Sequence, residues 1–200
     1  MKRERHEHKK EEIERARKEH INAHKMAHCI GVAEYMRERA DDFGIDGNVA
    51  YTAGLLHDIG YLEGRIGHEE AGAEILEACG MSGDIVFAVA YHAESLKKIP
   101  EDQVSPMLVL MVEADLSVEK NGFRVGFEKR LKDIAERYGT KDNPIFDSVK
   151  DNIAYIKNYW KINGIPEQDE TVYRKHSCEN NRGKWIGSSI ENKNDDKEIE

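Results

Sequence analysis

Apolar residues recur at helical spacing through most of the middle of the chain. From Ile21 to Ala40 they return every three or four positions, which places them on one face of a helix. Further segments of this kind follow as far as Trp160, with glycine, Ser-Pro or Asn-Pro between several of them. The pattern predicts an all-α fold, a bundle of about six to eight helices.

Start and stop signals place the predicted helices. Asp46 is a candidate N-cap for a helix that runs to the His57-Asp58 pair, with Gly60 helping to end it. Ser105-Pro106 is typical of a helix start, and Asn143-Pro144 is another such signal. After this second helix, which passes through Val49 and Leu56, the predicted helices are Glu69–Cys79, a helix from Ser82 to His92, Pro106–Asp115, Phe123–Tyr138 and Pro144–Trp160.

The two ends of the chain differ from its middle. Residues 1–19 mix both charge signs with few apolar positions, which predicts a solvated N-terminal arm or helix extension. Residues 164–200 are polar and irregular, which predicts a mobile tail. Residues 20–163 then form one domain with a sizeable core.

Composition narrows the classes of function. The formal net charge is −9, with 39% hydrophobic and 34% charged residues, so we expect no nucleic-acid partner. No apolar run approaches the roughly 20 residues that cross a bilayer, so a cytoplasmic protein with no membrane partner is expected. Three widely separated cysteines predict neither a disulfide framework nor a thiolate metal site. A homo-oligomer is left open.

Potential metal ligands stand out within the helical segments. Imidazole nitrogens and carboxylate oxygens together suit iron, manganese, cobalt, nickel or zinc. There are more of them than one tetrahedral ion requires, so two divalent ions are expected, with iron or manganese favoured. The candidates are His28, His57, Asp58, His68, His92 and Asp115.

The residues around these candidates resemble a known family. The segments 27–34 (AHCIGVAE) and 54–60 (GLLHDIG) resemble the opening helix and the signature of HD-superfamily metal-dependent phosphohydrolases. Segment 67–73 (GHEEAGA), His92 and Asp115 follow in the order of the two-metal members. Within that superfamily the spacing is similar to bacterial HD hydrolases of diadenosine tetraphosphate, over residues 20–120.

The resemblance implies a ligand arrangement and a reaction. His28, His57, Asp58 and Asp115 would hold one ion, and Asp58, His68 and His92 the other, with Asp58 as the bridge. If His68 is not a ligand, a single-ion site remains. His57 and Asp58 would be the catalytic pair, and a metal-activated hydroxide would cleave a nucleotide or another small phosphate ester or anhydride.

The expected substrate contacts are less specific. Tyr61 stands where many catalytic HD proteins carry Lys. Four basic side chains could supply the positive charge instead, although each could equally be a solvated residue of a helix face. These four are Arg65, Lys97, Lys98 and Arg124.

Two further functions fit the same ligands. HD proteins with a mixed-valent di-iron centre activate oxygen and cleave a carbon bond, and they would need iron and oxygen where a hydrolase would not. A non-enzymatic nucleotide sensor is the third class, and it would bind a nucleotide without turnover. Oxygen dependence and turnover separate the three.

Overall fold

The described residues of the computed structural model, 25–63 and 67–168, form an all-α fold. Within these ranges no strand occurs, and Val118 and Arg124 make an isolated antiparallel bridge. Seven α-helices are described: α1 (25–39), α2 (Gly47–Leu56), α3 (His68–Ala78), α4 (Gly83–Tyr91), α5 (Pro106–Leu116), α6 (Phe127–Tyr138) and α7 (Pro144–Asn163). The expected all-α bundle is confirmed. In the described part of the chain, every helix is too short or too polar to span a bilayer.

Helix α5 forms the centre of the core. Its residues are apolar on nearly every side, and it packs against α2, α4 and α7. A helix that is apolar all round must be surrounded by other elements. Asp115 keeps partial access to solvent while its neighbours Ala114 and Leu116 are buried. The last turn of α5 thus delivers a carboxylate to the edge of the core.

A buried carboxylate ties three helices together. Oε1 of Glu113 accepts hydrogen bonds from the Tyr35 hydroxyl at 2.7 Å and from Nε of Arg39 at 3.2 Å. Oε2 accepts from the indole nitrogen of Trp160 at 2.7 Å. Burial raises the pKa of Glu113, and these donors oppose that effect. The contacts join α1, α5 and α7, so Trp160 belongs to the core, as its apolar spacing predicted.

Several predicted helix boundaries are confirmed. The Asp46 carboxylate accepts hydrogen bonds from the backbone nitrogens of residues 48 and 49, and the Ser105 hydroxyl accepts from that of residue 108. The Asn143 side chain caps α7 in the same way, and Gly164 ends that helix with a positive φ of 67°. Side-chain caps satisfy backbone donors that a helix start leaves unpaired.

One boundary prediction and one capping prediction were wrong. Helix α6 begins at Phe127 rather than Phe123, because residues 118–124 form a tight turn closed by the backbone bridge. Ser82 precedes α4 as expected, but its side chain makes no capping hydrogen bond.

Gly60 has a different structural role from the one expected. Helix α2 already ends at Leu56, and Gly60 lies in a 3-10 turn, Ile59–Glu63. A Cβ atom at position 60 would lie 1.9 Å from the carbonyl oxygen of His68 and 2.6 Å from the backbone nitrogen of Gly72. Glycine is needed here because the turn packs directly on α3, not because a helix must stop.

Candidate metal centre

Five elements bring the six candidate ligands to one place. His28 lies on α1, His57 and Asp58 follow the end of α2, and His68 is the first residue of α3. His92 follows α4, and Asp115 lies in the last turn of α5. Four of the six lie at or just beyond a helix end, where backbone geometry can turn adjacent side chains toward one point.

The side chains form two groups that share one carboxylate. Ligand atoms of His28, His57 and Asp58 all lie within 4.8 Å of one another, and the same holds for Asp58, His68 and His92. Asp115 joins the first group, with Oδ1 at 2.9 Å from Nε2 of His28 and 3.9 Å from Nε2 of His57. These groups coincide with the two ligand sets implied by the family resemblance.

The two oxygens of Asp58 face different groups. Oδ1 lies 3.2 Å from Nε2 of His68 and 3.7 Å from Nε2 of His92. Oδ2 lies 3.6 Å from Nε2 of His57. A carboxylate has two oxygens with lone pairs and can join two cations, which a neutral imidazole cannot. Asp58 therefore has the geometry of a bridging ligand.

Contacts behind the rings orient the histidines. Nδ1 of His57 lies 2.8 Å from the carbonyl oxygen of Gly54. Nδ1 of His92 lies 2.8 Å from the carbonyl oxygen of Val89. Nδ1 of His28 lies 3.2 Å from the carbonyl oxygen of Glu119. A carbonyl can only accept, so the hydrogen-bond pattern assigns a proton to Nδ1 of each ring and leaves Nε2 as the nitrogen that faces the cluster.

His68 completes this arrangement through a carboxylate. Its Nδ1 lies 3.3 Å from Oε2 of Glu69, and its Nε2 faces Asp58. A ligating histidine commonly bonds a carbonyl or carboxylate through its other nitrogen, which raises the basicity of the ligand. The sequence analysis did not assign Glu69 this role, although its position directly after a candidate ligand was a usable signal.

Nε2 of His57 gives an independent test of fit to a cation. His57 is fully buried, and within the described ranges this nitrogen has no hydrogen-bond partner. Burial lowers the pKa of His57, because a charged imidazole is costly in a desolvated position. A buried lone pair without a donor costs free energy unless something electropositive meets it. The donor set fits a divalent metal ion.

Electrostatics in the cluster favour ionised carboxylates. Burial alone would raise the pKa of Asp58, but the neighbouring imidazoles of His68 and His92 hold it well below its usual range. Burial also opposes ionisation of Asp115, and the bond from His28 outweighs it, so the pKa of Asp115 is lowered as well. Two negative charges beside imidazole lone pairs make a site that attracts cations.

An aromatic ring covers the outer side of His68. The Tyr61 ring stacks on the imidazole with centroids 3.9 Å apart and planes 15° apart. The Lys25 ammonium lies over the Tyr61 ring. Sequence reasoning missed both contacts. Lys25 lies three positions before His28 on one helix, so the i, i+3 rule could have placed the two on a common face.

The expected substrate contacts have other partners where they are described. Nζ of Lys97 lies 2.6 Å from Oδ1 of Asp151, and Nη1 of Arg124 lies 2.6 Å from Oε2 of Glu38. Neither carboxylate belongs to the ligand cluster. Lys98 lies in a 3-10 turn, Leu96–Lys98, and Arg65 is outside the described residues. The N-terminal arm and most of the predicted tail are also outside them.

Comparison with known proteins agrees with the geometry. Residues 26–118 match the model of the HD domain, a span that includes all six candidate ligands. This similarity to the HD domain covers just under half of the chain. It supports the superfamily predicted from the sequence motifs, and all-α architecture is the fold of that domain.

The relatives found among curated proteins carry the name Ribonuclease Y. The chain is 35% identical to that of Opitutus terrae over 94 residues, which cover 44% of this chain and 17% of the relative. It is 36% identical to that of Syntrophotalea carbinolica over 126 residues, 58% of this chain and 22% of the relative. The relative from Fervidobacterium nodosum is 30% identical over 132 residues, 59% of this chain and 24% of the relative.

The chain thus spans about a quarter or less of the length of these relatives. The likeness supports an HD-type hydrolase. The relatives named here are not diadenosine tetraphosphate hydrolases, so they do not support the subfamily that the sequence motifs resembled.

Proposed function

We propose that this chain is a metal-dependent phosphohydrolase whose centre holds two divalent ions, with iron or manganese favoured. The observation that carries the proposal is the pair of His/Asp groups sharing Asp58, with imidazole Nε2 atoms directed into both. Two such ions supply a water of lowered pKa and neutralise a phosphate. This chemistry suits hydrolysis of phosphate esters and anhydrides.

The ligand residues have different roles in the proposed centre. His28, His57 and Asp115 form one end of the centre, and His68 and His92 form the other. Asp58 lies between the two ends and contacts both. The backbone carbonyls behind three imidazoles hold each ring in one tautomer and orientation. Preorganised ligands of this kind cost no reorganisation during reaction. No nucleophilic side chain is required.

The substrate we favour is a nucleotide or another small phosphate ester or anhydride, with diadenosine tetraphosphate included. The net charge of −9 opposes binding along an extended phosphate backbone and has little effect on a short anion held by two cations. Hydrolysis of an RNA phosphodiester is the second candidate, and the name shared by the relatives favours it. Both substrates would use the same centre.

One assay tests the proposal and ranks the candidates. Protein purified without oxygen and loaded with Mn²⁺ is incubated with diadenosine tetraphosphate, mononucleotides, cyclic dinucleotides and a short single-stranded RNA, and the products are separated. We expect phosphate release or nucleotide products from wild type and none from Asp58→Ala. An exposed-carboxylate control, Asp84→Ala on α4, should retain activity.

Three results would contradict the proposal. Turnover that appears only with iron and air would establish the oxygenase. Tight nucleotide binding with no turnover in the metal-loaded protein would establish a sensor. Equal hydrolysis by wild type and Asp58→Ala would place the activity outside this centre. Cleavage of the RNA alone would keep the reaction class and replace the small substrate by the second candidate.

A further inference from the structure

The ammonium of Lys25 lies near the candidate metal centre, with the Tyr61 ring between it and His68. The ammonium lies 2.6 Å from the centroid of the Tyr61 ring, and the other face of that ring stacks on His68. Nε2 of His68 in turn lies 3.2 Å from Asp58. The three side chains form a stack that ends in the group formed by Asp58, His68 and His92.

Lys25 differs from Arg124 and Lys97 in how its positive charge is held. Arg124 and Lys97 are held by carboxylates at 2.6 Å. Lys25 makes no ion pair with a carboxylate of residues 25–63 or 67–168, and an aromatic face supports it instead. A cation held by a ring quadrupole keeps its hydrogen-bond donors free, since the ring accepts none of them strongly. Such a lysine can give the N–H groups that face away from the ring to a ligand.

The surroundings of Lys25 also connect it to the centre. Burial lowers the pKa of the ammonium, and the negative charge of Asp58 acts in the opposite direction. The charge of Lys120 adds to the lowering of this pKa. Lys120 follows Glu119, whose carbonyl oxygen contacts His28. Positive charge thus borders a cluster of carboxylates and imidazoles that would bind cations.

We infer that Lys25 is a substrate-binding residue that contacts a phosphoryl oxygen at the edge of the metal centre, with the Tyr61 ring holding its side chain in place. This inference rests on the proposed phosphohydrolase function. A phosphate bound to the centre carries oxygens that the ions do not cover, and a lysine ammonium is a compact donor for such oxygens. The ring of Tyr61 restricts the long stem of Lys25 and lowers the conformational entropy lost on binding.

The experiment measures binding of inorganic phosphate to Mn²⁺-loaded protein by isothermal titration calorimetry, without any turnover. Lys25→Met keeps an apolar stem over the ring and removes the charge. We expect it to weaken phosphate binding about tenfold, the equivalent of about 1.4 kcal/mol, with unchanged manganese content. Lys25→Arg should restore binding to within about threefold, because it restores the charge. Lys161→Met, an exposed lysine near the end of α7, is the matched control and should bind as wild type does.

The results separate a phosphate contact from a packing role. Unchanged phosphate affinity in Lys25→Met would overturn the inference. Equal weakening in Lys25→Met and Lys25→Arg, together with lost manganese, would also overturn it, because the lysine would then act through packing on His68. Wild-type protein that binds phosphate but hydrolyses none of the esters would refute the proposed function alone, and the Lys25 variants would still decide this inference.

Discussion

Replacement of Gly60 by alanine tests how closely the metal centre depends on the packing of two backbone segments. The new Cβ would lie 1.9 Å from the carbonyl oxygen of His68, and real Cβ contacts essentially never fall below 3.0 Å. The turn that follows Asp58 and the start of α3 must therefore separate by about 1 Å. His68 and Asp58 lie on the two sides of that gap.

This separation should change both the metal content and the thermal stability of the protein. Metal–ligand distances tolerate about 0.2 Å, so a separation of about 1 Å removes His68 from an ion that it shares with Asp58. The protein should then bind about one Mn²⁺ ion per chain instead of about two. Overpacking of this kind costs about 1–3 kcal/mol, and a domain of this size loses about 2–4 °C in midpoint per kcal/mol. We expect a fall of roughly 2–12 °C.

Metal content is measured by elemental analysis after dialysis, and the thermal midpoint by circular dichroism on protein freed of metal with a chelator. Gly83→Ala is the control, since a Cβ at that position meets nothing within 4 Å. It should keep both ions and the same or a higher midpoint. A Gly60→Ala protein with wild-type metal content and midpoint would refute the close packing of the turn on α3.

Three further predictions concern the buried carboxylates and the ligands. Glu113→Ala removes the acceptor shared by Tyr35, Arg39 and Trp160 and should lower the free energy of unfolding by about 1–3 kcal/mol in urea titrations, whereas an effect below about 0.5 kcal/mol would contradict the network. By elemental analysis, Asp58→Ala should lose both Mn²⁺ ions and His68→Ala only one. Equal losses in the two variants would exclude Asp58 as a bridging ligand. In metal-free protein, Asp115 raises the pKa of His28 despite burial, so this stabilisation is complete below pH 6.5 and is lost as pH rises through the folded value. As pH rises through the folded pKa of His28, the thermal midpoint should therefore fall more in wild type than in His28→Gln. Parallel plots of midpoint against pH for the two proteins would refute the stabilising interaction between His28 and Asp115.

Local signals explain why so much of the helical structure could be predicted. Asp46, Ser105 and Asn143 cap helices because their side chains accept hydrogen bonds from backbone nitrogens two or three residues ahead. That interaction needs no distant partner, so it can be recognised in the chain itself. The start of α6 was missed because the bridge between Val118 and Arg124 joins residues across a turn and overrides the helical spacing.

The outer part of the site could not be predicted in the same way. Tyr61 appeared in the sequence as a departure from a motif, and its stacking on His68 depends on how the turn Ile59–Glu63 packs on α3. Lys97 and Arg124 were expected near the substrate as isolated positive charges. Their partners, Asp151 and Glu38, lie 54 and 86 positions away in the chain.

The sequence by itself determined most of the helices, the caps at Asp46, Ser105 and Asn143, and the identity of the six ligand candidates, because helical periodicity, capping and ligand chemistry are properties of residues and their near neighbours. Only the tertiary structure decided that those candidates converge into two groups around Asp58, and that Lys25 lies over Tyr61 at their edge. Convergence joins residues from His28 to Asp115, and it depends on helix packing around α5 and on close backbone contact at Gly60. Packing acts between segments far apart in the chain, so spacing along the chain does not record it.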